Sequence, residues 1–218
     1  MSQTTAPAKS ARHRSPGRPT REQAEQRNRE LLDKALDLFL ENGFERTTIE
    51  GITGAVGMAK RTVYARYGDK ETLFKAALQR AIDDWIVPLD QLRAAEGDDF
   101  EASLLAIGRL LVANILSPAG LRLMRITNAE SVRMPEIGEY TVRHGTGPTL
   151  DFLVDLLVRR LPGKFATAED ASAIAYAFLH LVVGGPANVM AWGVRLSPEE
   201  IERQTQHSVR LFLHGVLH

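Results

Sequence analysis

The fold is decided between Thr47 and Lys70, where the chain reads TTIEGITGAVGMAKRTVYARYGDK. The spacing of its apolar residues predicts two short helices, and Gly57 permits the tight turn that joins them. The second helix carries cations, hydroxyls and a tyrosine within about two turns. A short helix of this kind, supported by an apolar helix before it, suits the major groove of DNA.

Composition narrows the class of protein. Of the 218 residues, 44% are apolar, which is enough for a core, and none is cysteine, which excludes disulfides, thiolate catalysis and cysteine-ligated zinc. We find no uninterrupted apolar run of about 18 residues and no apolar stretch of a signal peptide at the N-terminus. We therefore expect a cytoplasmic protein with no membrane partner.

The net charge is zero, but the charges are unevenly placed. Residues 1–80 hold 15 Lys and Arg against 10 Asp and Glu, whereas residues 81–218 hold 12 against 17. A basic front and an acidic rear are typical of a protein whose first part binds a polyanion such as DNA.

Helix signals continue along the whole chain, and no convincing pair of strands is found. Thr20 and Gln23 match a capping box at the start of the first helix, and Thr47 and Glu50 match a second one. We expect a kink or break at residues 145–148. These signals predict an all-α protein with about nine or ten helices.

Three further signals set the ends of individual helices. Asp69 is expected to cap the fourth helix, and Ser197 to cap the last one. A strongly apolar helix that begins at Thr167 is expected to end at residues 184–186, which read Gly-Gly-Pro.

A specific set of spacings occurs between residues 31 and 75. Its members are Ala35, Phe39, Gly43, Phe44, Thr47, Thr48, Ile49, Ile52, Gly57, Thr62, Val63, Tyr64, Tyr67, Lys70, Glu71 and Leu73. This pattern resembles the tetracycline-repressor (TetR) family of bacterial regulators. The rear half is loosely similar to the AefR-like subgroup in Glu130, Pro135-Glu136 and the closing Leu-Phe-Leu-x-Gly at residues 211–215.

The resemblance implies that the chain has three segments with different roles. Residues 1–19 would form a flexible basic arm, residues 20–68 a helix-turn-helix DNA-binding domain, and residues 69–218 a helical ligand-binding and dimerisation domain. The implied function is a ligand-responsive repressor that binds a palindromic DNA operator as a homodimer. A small-molecule inducer would release it, and no cofactor is expected.

The second short helix supplies most of the candidate DNA contacts. Lys60 and Arg61 donate hydrogen bonds and accept none, which suits guanine O6 and N7. The resemblance places both at groove-facing positions, and places Thr62 and Tyr64 at phosphate-contacting ones, with Tyr64 near the base edges. Arg66 stands where the family often has His and adds attraction for phosphate.

Phosphate contacts are also expected at the edges of this unit. Thr48 and Lys70 stand at helix N-termini and resemble the family's phosphate clamps. Arg18, in the sequence Gly17-Arg18-Pro19, either enters the minor groove or belongs to a leader that only adds charge. Both alternatives steepen the dependence of DNA affinity on salt.

A reader of palindromic DNA needs a dimer face. The apolar stripes of the last two long helices are the candidates, and the members we select are Ile174, Ala175, Phe178, Val209 and Phe212. The alternative is that both stripes close the core of a single chain.

A ligand pocket is expected among the helices of residues 70–180. Its candidate lining residues are Trp85, Met124, Asn128, Met134, Phe152, Tyr176 and His180. This mixture suggests a mainly apolar or aromatic small molecule. Arg125, Arg133 or His144 would hold a carboxylate if their side chains turned inward.

Two rival functions were weighed. An enzyme is disfavoured because the chain has no Gly-rich phosphate loop, no HExxH and no serine elbow, and we expect no metal site. An architectural DNA binder that prefers A·T-rich sequence through its arm would survive loss of Lys60 and Arg61. A regulator would lose its preference for one palindrome.

Overall fold

The computed structural model describes residues 20–217, and within them the chain forms helices and no strand. The predicted all-α fold is confirmed. The predicted arm, including Arg18, lies outside the described residues. The α-helices are α1 Arg21–Asn42, α2 Ile49–Val56, α3 Lys60–Tyr67, α4 Lys70–Trp85, α5 Leu89–Ala94, α6 Phe100–Ile115, α7 Pro118–Glu130, α8 Pro135–Tyr140, α9 Gly147–Arg160, α10 Ala168–Leu179, α11 Gly185–Ala191 and α12 Pro198–Leu217.

Most of the predicted helix caps are present, and one is wrong. Thr20 caps α1 in a capping box with Gln23, and Asp69 caps α4. At α2 the cap is Thr48, whose Oγ1 accepts a hydrogen bond from the Gly51 N–H at 3.1 Å. Thr47 is instead buried, and its hydroxyl donates to main-chain carbonyls at the end of α1 and in the loop that follows. The predicted Thr47–Glu50 capping box therefore does not form.

The helix predicted to end at residues 184–186 continues beyond them, which makes that prediction wrong, and of the kink or break predicted at residues 145–148 the break does not occur. A π-helical segment, Thr141–Thr146, joins α8 to α9, and a second one, His180–Gly184, joins α10 to α11. Pro148 and Pro186 lie in the first turns of α9 and α11, where the missing N–H of proline is tolerated. Neither residue therefore ends the helix. Over residues 20–217, the twelve α-helices thus form ten continuous helical rods.

The front core joins α1 to α4. Phe74 packs edge-on against Phe39 and Phe44, with ring centroids 4.7 and 5.3 Å away. The same apolar cluster includes residues of α7 and α8, so the helix-turn-helix unit is packed directly onto the rear of the molecule. Helix α4 is the shared element, because its buried face lies in this front core while Trp85 is at its far end.

Four of the five residues predicted to form the dimer face lie in the rear core instead. Ala175, Phe178, Val209 and Phe212 are at most 5% exposed, and the rings of Phe178 and Phe212 pack edge-on at 5.1 Å. A side chain buried within its own chain has no surface left for a partner. Only Ile174 of the predicted set is partly exposed. The alternative, that these stripes close the core of one chain, is the one that the structure shows.

Helix α10, its π segment and α11 form one apolar rod, Ala168–Ala191. An 18-residue window within its 24 residues has a mean hydropathy of 1.5, and this rod is the single continuous helix of the described chain that is long and apolar enough to cross a membrane by length and composition. It is not an uninterrupted apolar run, because Glu169, Asp170, His180 and Asn188 lie within it, and it therefore agrees with the prediction that the chain contains no such run. One face of the rod packs into the rear core, a location that also favours apolar composition.

The turn before α3 gives a test of the local backbone. Gly57 has φ 60° and ψ 36°, the left-handed region that costs a side-chain-bearing residue about 1–2 kcal/mol. We expect Gly57→Ala to lower the free energy of unfolding by about 1 kcal/mol in urea titrations. Gly54→Ala is the matched control: Gly54 lies within α2, an added Cβ there would meet open space, and the change should raise stability by about 0.5–1 kcal/mol. Equal effects of the two substitutions would contradict this account.

Candidate nucleic-acid interface and ligand cavity

Helix α3 presents almost all of its side chains to solvent. Val63 is its buried residue and fixes the helix on the front core. Every predicted contact residue of this helix is exposed: Lys60, Arg61, Thr62, Tyr64 and Arg66. Tyr67 anchors the C-terminal end, because its hydroxyl donates to Asn28 Oδ1 of α1 at 2.6 Å. The result is a short rigid rod that carries three cations on its free surface.

Lys60 has a partner that the sequence did not reveal. Its Nζ lies 2.7 Å from Oε1 of Glu50, in the first turn of α2, and both side chains are about half exposed. The hydrogen bond from Lys60 holds the pKa of Glu50 below its ordinary value. Because the pair joins two helices across a turn, helical spacing alone gave no signal for it.

The side chain of Lys70 makes contacts within the chain. Its Nζ donates to the carbonyls of Phe44 and Glu45 at 2.9 and 3.3 Å, and lies 4.3 Å from the centre of the Phe44 ring. The ammonium group therefore holds the α1–α2 loop, a structural role that the sequence did not reveal, and the phosphate contact of Lys70 stays a prediction. Thr48, in contrast, keeps an exposed side chain at the start of α2.

Several polar contacts tie the front unit to the rear helices. The Arg133 guanidinium lies 3.9 Å from the centre of the Phe44 ring. Lys75 of α4 pairs with Glu136 of α8. The Tyr140 hydroxyl donates to Asp83 of α4 at 2.8 Å. The last two contacts are spaced along α4, at Lys75 in its first half and at Asp83 close to its C-terminal end.

The Tyr140 contact is partly withdrawn from solvent. Burial, together with the hydrogen bond to Asp83, raises the pKa of Tyr140 to about 12. The phenol therefore stays neutral and remains a donor throughout the physiological pH range. The ring also stacks on His144 at 4.0 Å between centroids.

A cavity of about 320 Å³ lies among α4, α6, α7, α10 and the two π segments. Five of the seven predicted lining residues border it: Trp85, Met124, Asn128, Tyr176 and His180. Two predictions are wrong. Met134 is 2% exposed and packs in the front core, and Phe152 packs in the rear core. Their apolar side chains fill the space between helices and do not reach this cavity.

The three candidate carboxylate holders also lie elsewhere. Arg125 donates to the carbonyls of Met190 and Ala191, at the end of α11. Arg133 lies over Phe44, and His144 lies 3.2 Å from the Tyr140 carbonyl through Nδ1. None of them is among the described residues that border the cavity.

Trp85 is fixed as a wall of the cavity. Its indole N–H donates to the Asn114 carbonyl at 3.3 Å, and the Asn114 amide donates back to the Trp85 carbonyl at 2.9 Å. Gly120 lies so close that a Cβ there would be 2.9 Å from the indole nitrogen. With its polar atom satisfied, Trp85 is held at the cavity edge as a rigid aromatic surface. Over residues 20–217, no three His, Asp or Glu side chains come together in a way that would hold a metal ion.

Comparison with known proteins identifies the family. Residues 31–77 match the family model described as bacterial regulatory proteins, tetR family. Residues 102–215, more than half of the chain, match the AefR-like transcriptional repressor, C-terminal domain. The chain belongs to the TetR family of transcriptional regulators. The resemblance drawn from residues 31–75 and the looser AefR-like similarity of the rear half are both confirmed.

Individual TetR-family relatives support the same conclusion. The HTH-type transcriptional repressor ComR of Escherichia coli (strain K12) is 36% identical over 73 residues, which are 34% of this chain and 35% of ComR. The match therefore spans about a third of that relative's length.

Solved TetR-family structures match over most of the chain. A regulator of this family from Mesorhizobium loti MAFF303099 is 26% identical, with a TM-score of 0.75 over 90% of this chain and 98% of that one. The flavonoid-responsive regulator FrrA is 25% identical, with a TM-score of 0.69 over 88% and 97%. This TetR-family chain is thus a DNA-binding transcriptional regulator of the helix-turn-helix type.

The Glu50–Lys60 pair predicts a gain of function. Glu50→Gln removes a carboxylate that competes with base-edge acceptors for Lys60 and repels the phosphates of DNA, so we expect duplex affinity to rise roughly two- to fivefold at 0.1 M salt. The slope of log affinity against log salt should steepen, because the DNA-facing side of the molecule gains net positive charge. Fluorescence anisotropy across a salt series measures both. Glu139→Gln, an exposed change of equal charge in α8, is the control and should leave the slope unaltered.

Proposed function

We propose that this TetR-family regulator is a repressor that binds a palindromic operator as a homodimer and leaves it when a small molecule enters the cavity. The observation that carries the proposal is α3, an eight-residue helix whose only buried side chain among the described residues is Val63. A helix so exposed contributes little to the core, and its cations and hydroxyls match what a major groove binds.

Each exposed residue of this surface has a proposed part. Lys60 and Arg61 read base edges, while Thr62 and Arg66 contact phosphates. Tyr64, 46% exposed, contacts a phosphate close to the base edges. Three contacts lie outside α3: the hydroxyl of Thr48, Lys70 at the start of α4, and Arg18 in the basic arm of residues 1–19. The DNA-binding unit is proposed to end at residue 68, although α4 packs against it.

The dimer face is proposed on the outer side of α10 and α12. Helix α12 and the π segment that continues α10 lie over α6, where a Cβ on Gly108 would be within 4 Å of Val182, Thr205 and Val209. The opposite side of this two-helix layer is open to solvent. Its exposed members are Ala173, Tyr176, Ala177, Leu181, Gln204, His207, Leu211 and Gly215.

The apolar character of that side supports a protein partner. Leu181 is 36% and Leu211 53% exposed, and only 28% of the apolar window within Ala168–Ala191 is buried inside the chain. A second copy would cover this surface and complete a four-helix bundle. This dimer would also carry two α3 helices, as a palindrome requires.

Helix α4 is the proposed connection between the cavity and DNA. Trp85 borders the cavity at one end, and Phe74 packs in the front core toward the other. Filling the cavity would favour one position of α4 over another and so change the spacing of the two α3 helices. The contacts of Arg133, Lys75 and Tyr140 would pass the change to the front unit.

The effector is proposed to be an apolar or aromatic small molecule met in the cytoplasm. The walls of the cavity are mainly apolar and include the aromatic residues Trp85 and Tyr176. FrrA, a structural relative of this chain, is flavonoid-responsive. An aromatic effector for the present chain would be consistent with both.

Selection of bound duplexes from random oligonucleotides tests the DNA part. We expect one palindrome, bound by two protomers. In Lys60→Ala plus Arg61→Ala the ratio of specific to non-specific affinity should fall about 30-fold or more, since each base contact contributes about 1–3 kcal/mol of discrimination. Gel-shift titrations against the selected and a scrambled duplex measure that ratio.

A matched double variant controls for charge. Arg122→Ala plus Arg143→Ala removes two exposed cations from the rear of the molecule and should keep the preference for the palindrome. The proposal fails if the α3 variant keeps full preference. An architectural DNA binder that prefers A·T-rich sequence would select no defined palindrome and would bind equally well without Lys60 and Arg61.

A further inference from the structure

The cavity has an exposed rim. Three of the residues that border it are exposed: Asn128 of α7, Tyr176 of α10 and His180 at the start of the second π segment. The other described residues that border the cavity are buried or half-buried. Tyr176 is 38% exposed, and its ring centroid lies 6.2 Å from that of His180, one helical turn further on. We call these three residues the rim.

The order of residues around α10 and its π segment shows which way the rim faces. Each helical residue advances by about 100° around the axis, so the side chains fall into four strips. In order around the helix these are the buried strip Ala175, Phe178 and Val182, the half-buried cavity strip Leu179 and Val183, the rim residues Tyr176 and His180, and the exposed strip Ala173, Ala177 and Leu181. The exposed strip does not border the cavity. The rim therefore lies between the cavity and the outer surface of the helix.

The exposed strip belongs to the surface proposed above as the dimer face. Tyr176 is a member of that face and of the rim. The exposed strip and the two aromatic residues beside it include no Asp, Glu, Lys or Arg. A two-fold dimer places one patch against the same patch of the second copy, so a patch without these charges avoids like-charge repulsion. A second copy therefore suits this surface, and it would cover the rim at the same time.

An open rim leaves an apolar site incomplete. None of the described residues that border the cavity is Asp, Glu, Lys or Arg. An effector held by such walls is stabilised mainly by leaving water, and ligand pockets usually bury about 70–90% of a ligand's surface or more. At Tyr176 and His180 a single chain leaves the contents of the cavity next to solvent. Covering this side would remove that water.

We propose that the cavity opens onto the dimer face and that the second copy closes it at Tyr176 and His180, so that the effector site is complete only in the dimer. This inference rests on the proposed function, because it uses the proposed dimer face and the proposed effector cavity. By linkage, an effector enclosed by both copies tightens their association. Release from DNA then comes from a change in the spacing of the α3 helices within an intact dimer, and not from separation of the two copies.

A cysteine inside the cavity measures whether the second copy covers it. The chain has no cysteine, so Val183→Cys introduces a single thiol on the cavity strip. Methyl methanethiosulfonate, a small uncharged reagent, modifies the thiol, and mass spectrometry gives the rate. Leu211→Glu places a charge on the dimer face, at a 53% exposed residue that does not border the cavity, and should give monomers in light scattering. We expect the thiol to react about tenfold faster or more in these monomers than in the dimer, because access limits the reaction of a thiol.

Two controls separate covering of the rim from other effects. Val132→Cys, at an 87% exposed position after α7, should react at the same rate in monomer and dimer. Val158→Glu adds the same charge at an exposed position of α9 that does not border the cavity, and should preserve the dimer and the slow reaction of Val183→Cys. If circular dichroism shows that Leu211→Glu unfolds, dilution of the Val183→Cys chain until the dimer dissociates makes the same comparison without a second substitution.

A photo-crosslinker tests the contact at the rim directly. His180→Cys labelled with benzophenone maleimide places a reactive ketone on the rim, next to the surface that the second copy would cover. Irradiation should join the two copies into a covalent dimer, visible on a denaturing gel. The same label at Val132→Cys should leave the copies separate.

The outcomes distinguish this inference from the proposed function. If Leu211→Glu remains folded and dimeric, the proposed dimer face fails, and closure of the cavity by the second copy fails with it. If Leu211→Glu is monomeric but the thiol of Val183→Cys reacts no faster than in the dimer, the dimer face stands and the shared site is overturned. A benzophenone at position 180 that joins no second copy would overturn the shared site as well.

Discussion

Phe44 is the point at which the two parts of this regulator are joined. Its ring packs on Phe39 and Phe74 inside the front core, and the cations of Lys70 and Arg133 lie 4.3 and 3.9 Å from its centre. A cation near an aromatic face is attracted by the ring quadrupole, so Arg133 links the rear helices to the loop before α2. The orientation of α2 and α3 depends on this loop and on α4, which packs beside it.

The exposure of α3 follows from that arrangement. Because Phe44, Phe74 and the other front-core residues supply the packing, α3 needs only Val63 and the anchor at Tyr67. The remaining surface is free for cations that would be unfavourable in a core. The same division explains the cavity at the other end of α4, where Trp85 is fixed by hydrogen bonds and not by close packing on every side.

The sequence predicted what depends on local signals. The all-α fold, the caps at Thr20 and Asp69 and the turn at Gly57 follow from residue type and spacing, and all are present. The dimer stripe was wrong because helical periodicity shows which residues are apolar but not which neighbour they face. In α10 the more apolar stripe serves the chain's own core, and a second, milder one remains outside.

Contacts between residues distant in the sequence could not be predicted, for the same reason. The pairing of Glu50 with Lys60, and the turning of Lys70 toward the Phe44 carbonyl, depend on the angle between helices. Met134 was placed in the cavity because its type suits a pocket, whereas its position before α8 directs it into the front core.

In the proposed dimer, we expect the Phe44–Arg133 contact to hold the two α3 helices at a fixed spacing. Because the chain has no cysteine, Ala65→Cys places one spin label per protomer on exposed α3, and double electron–electron resonance measures the distance between the labels. On the selected operator we expect a narrow distribution near about 34–36 Å or a multiple of one DNA turn. In the absence of DNA, Arg133→Met should broaden the distribution relative to the unsubstituted chain. Equal widths with and without Arg133, or no coupling between labels, would contradict the account.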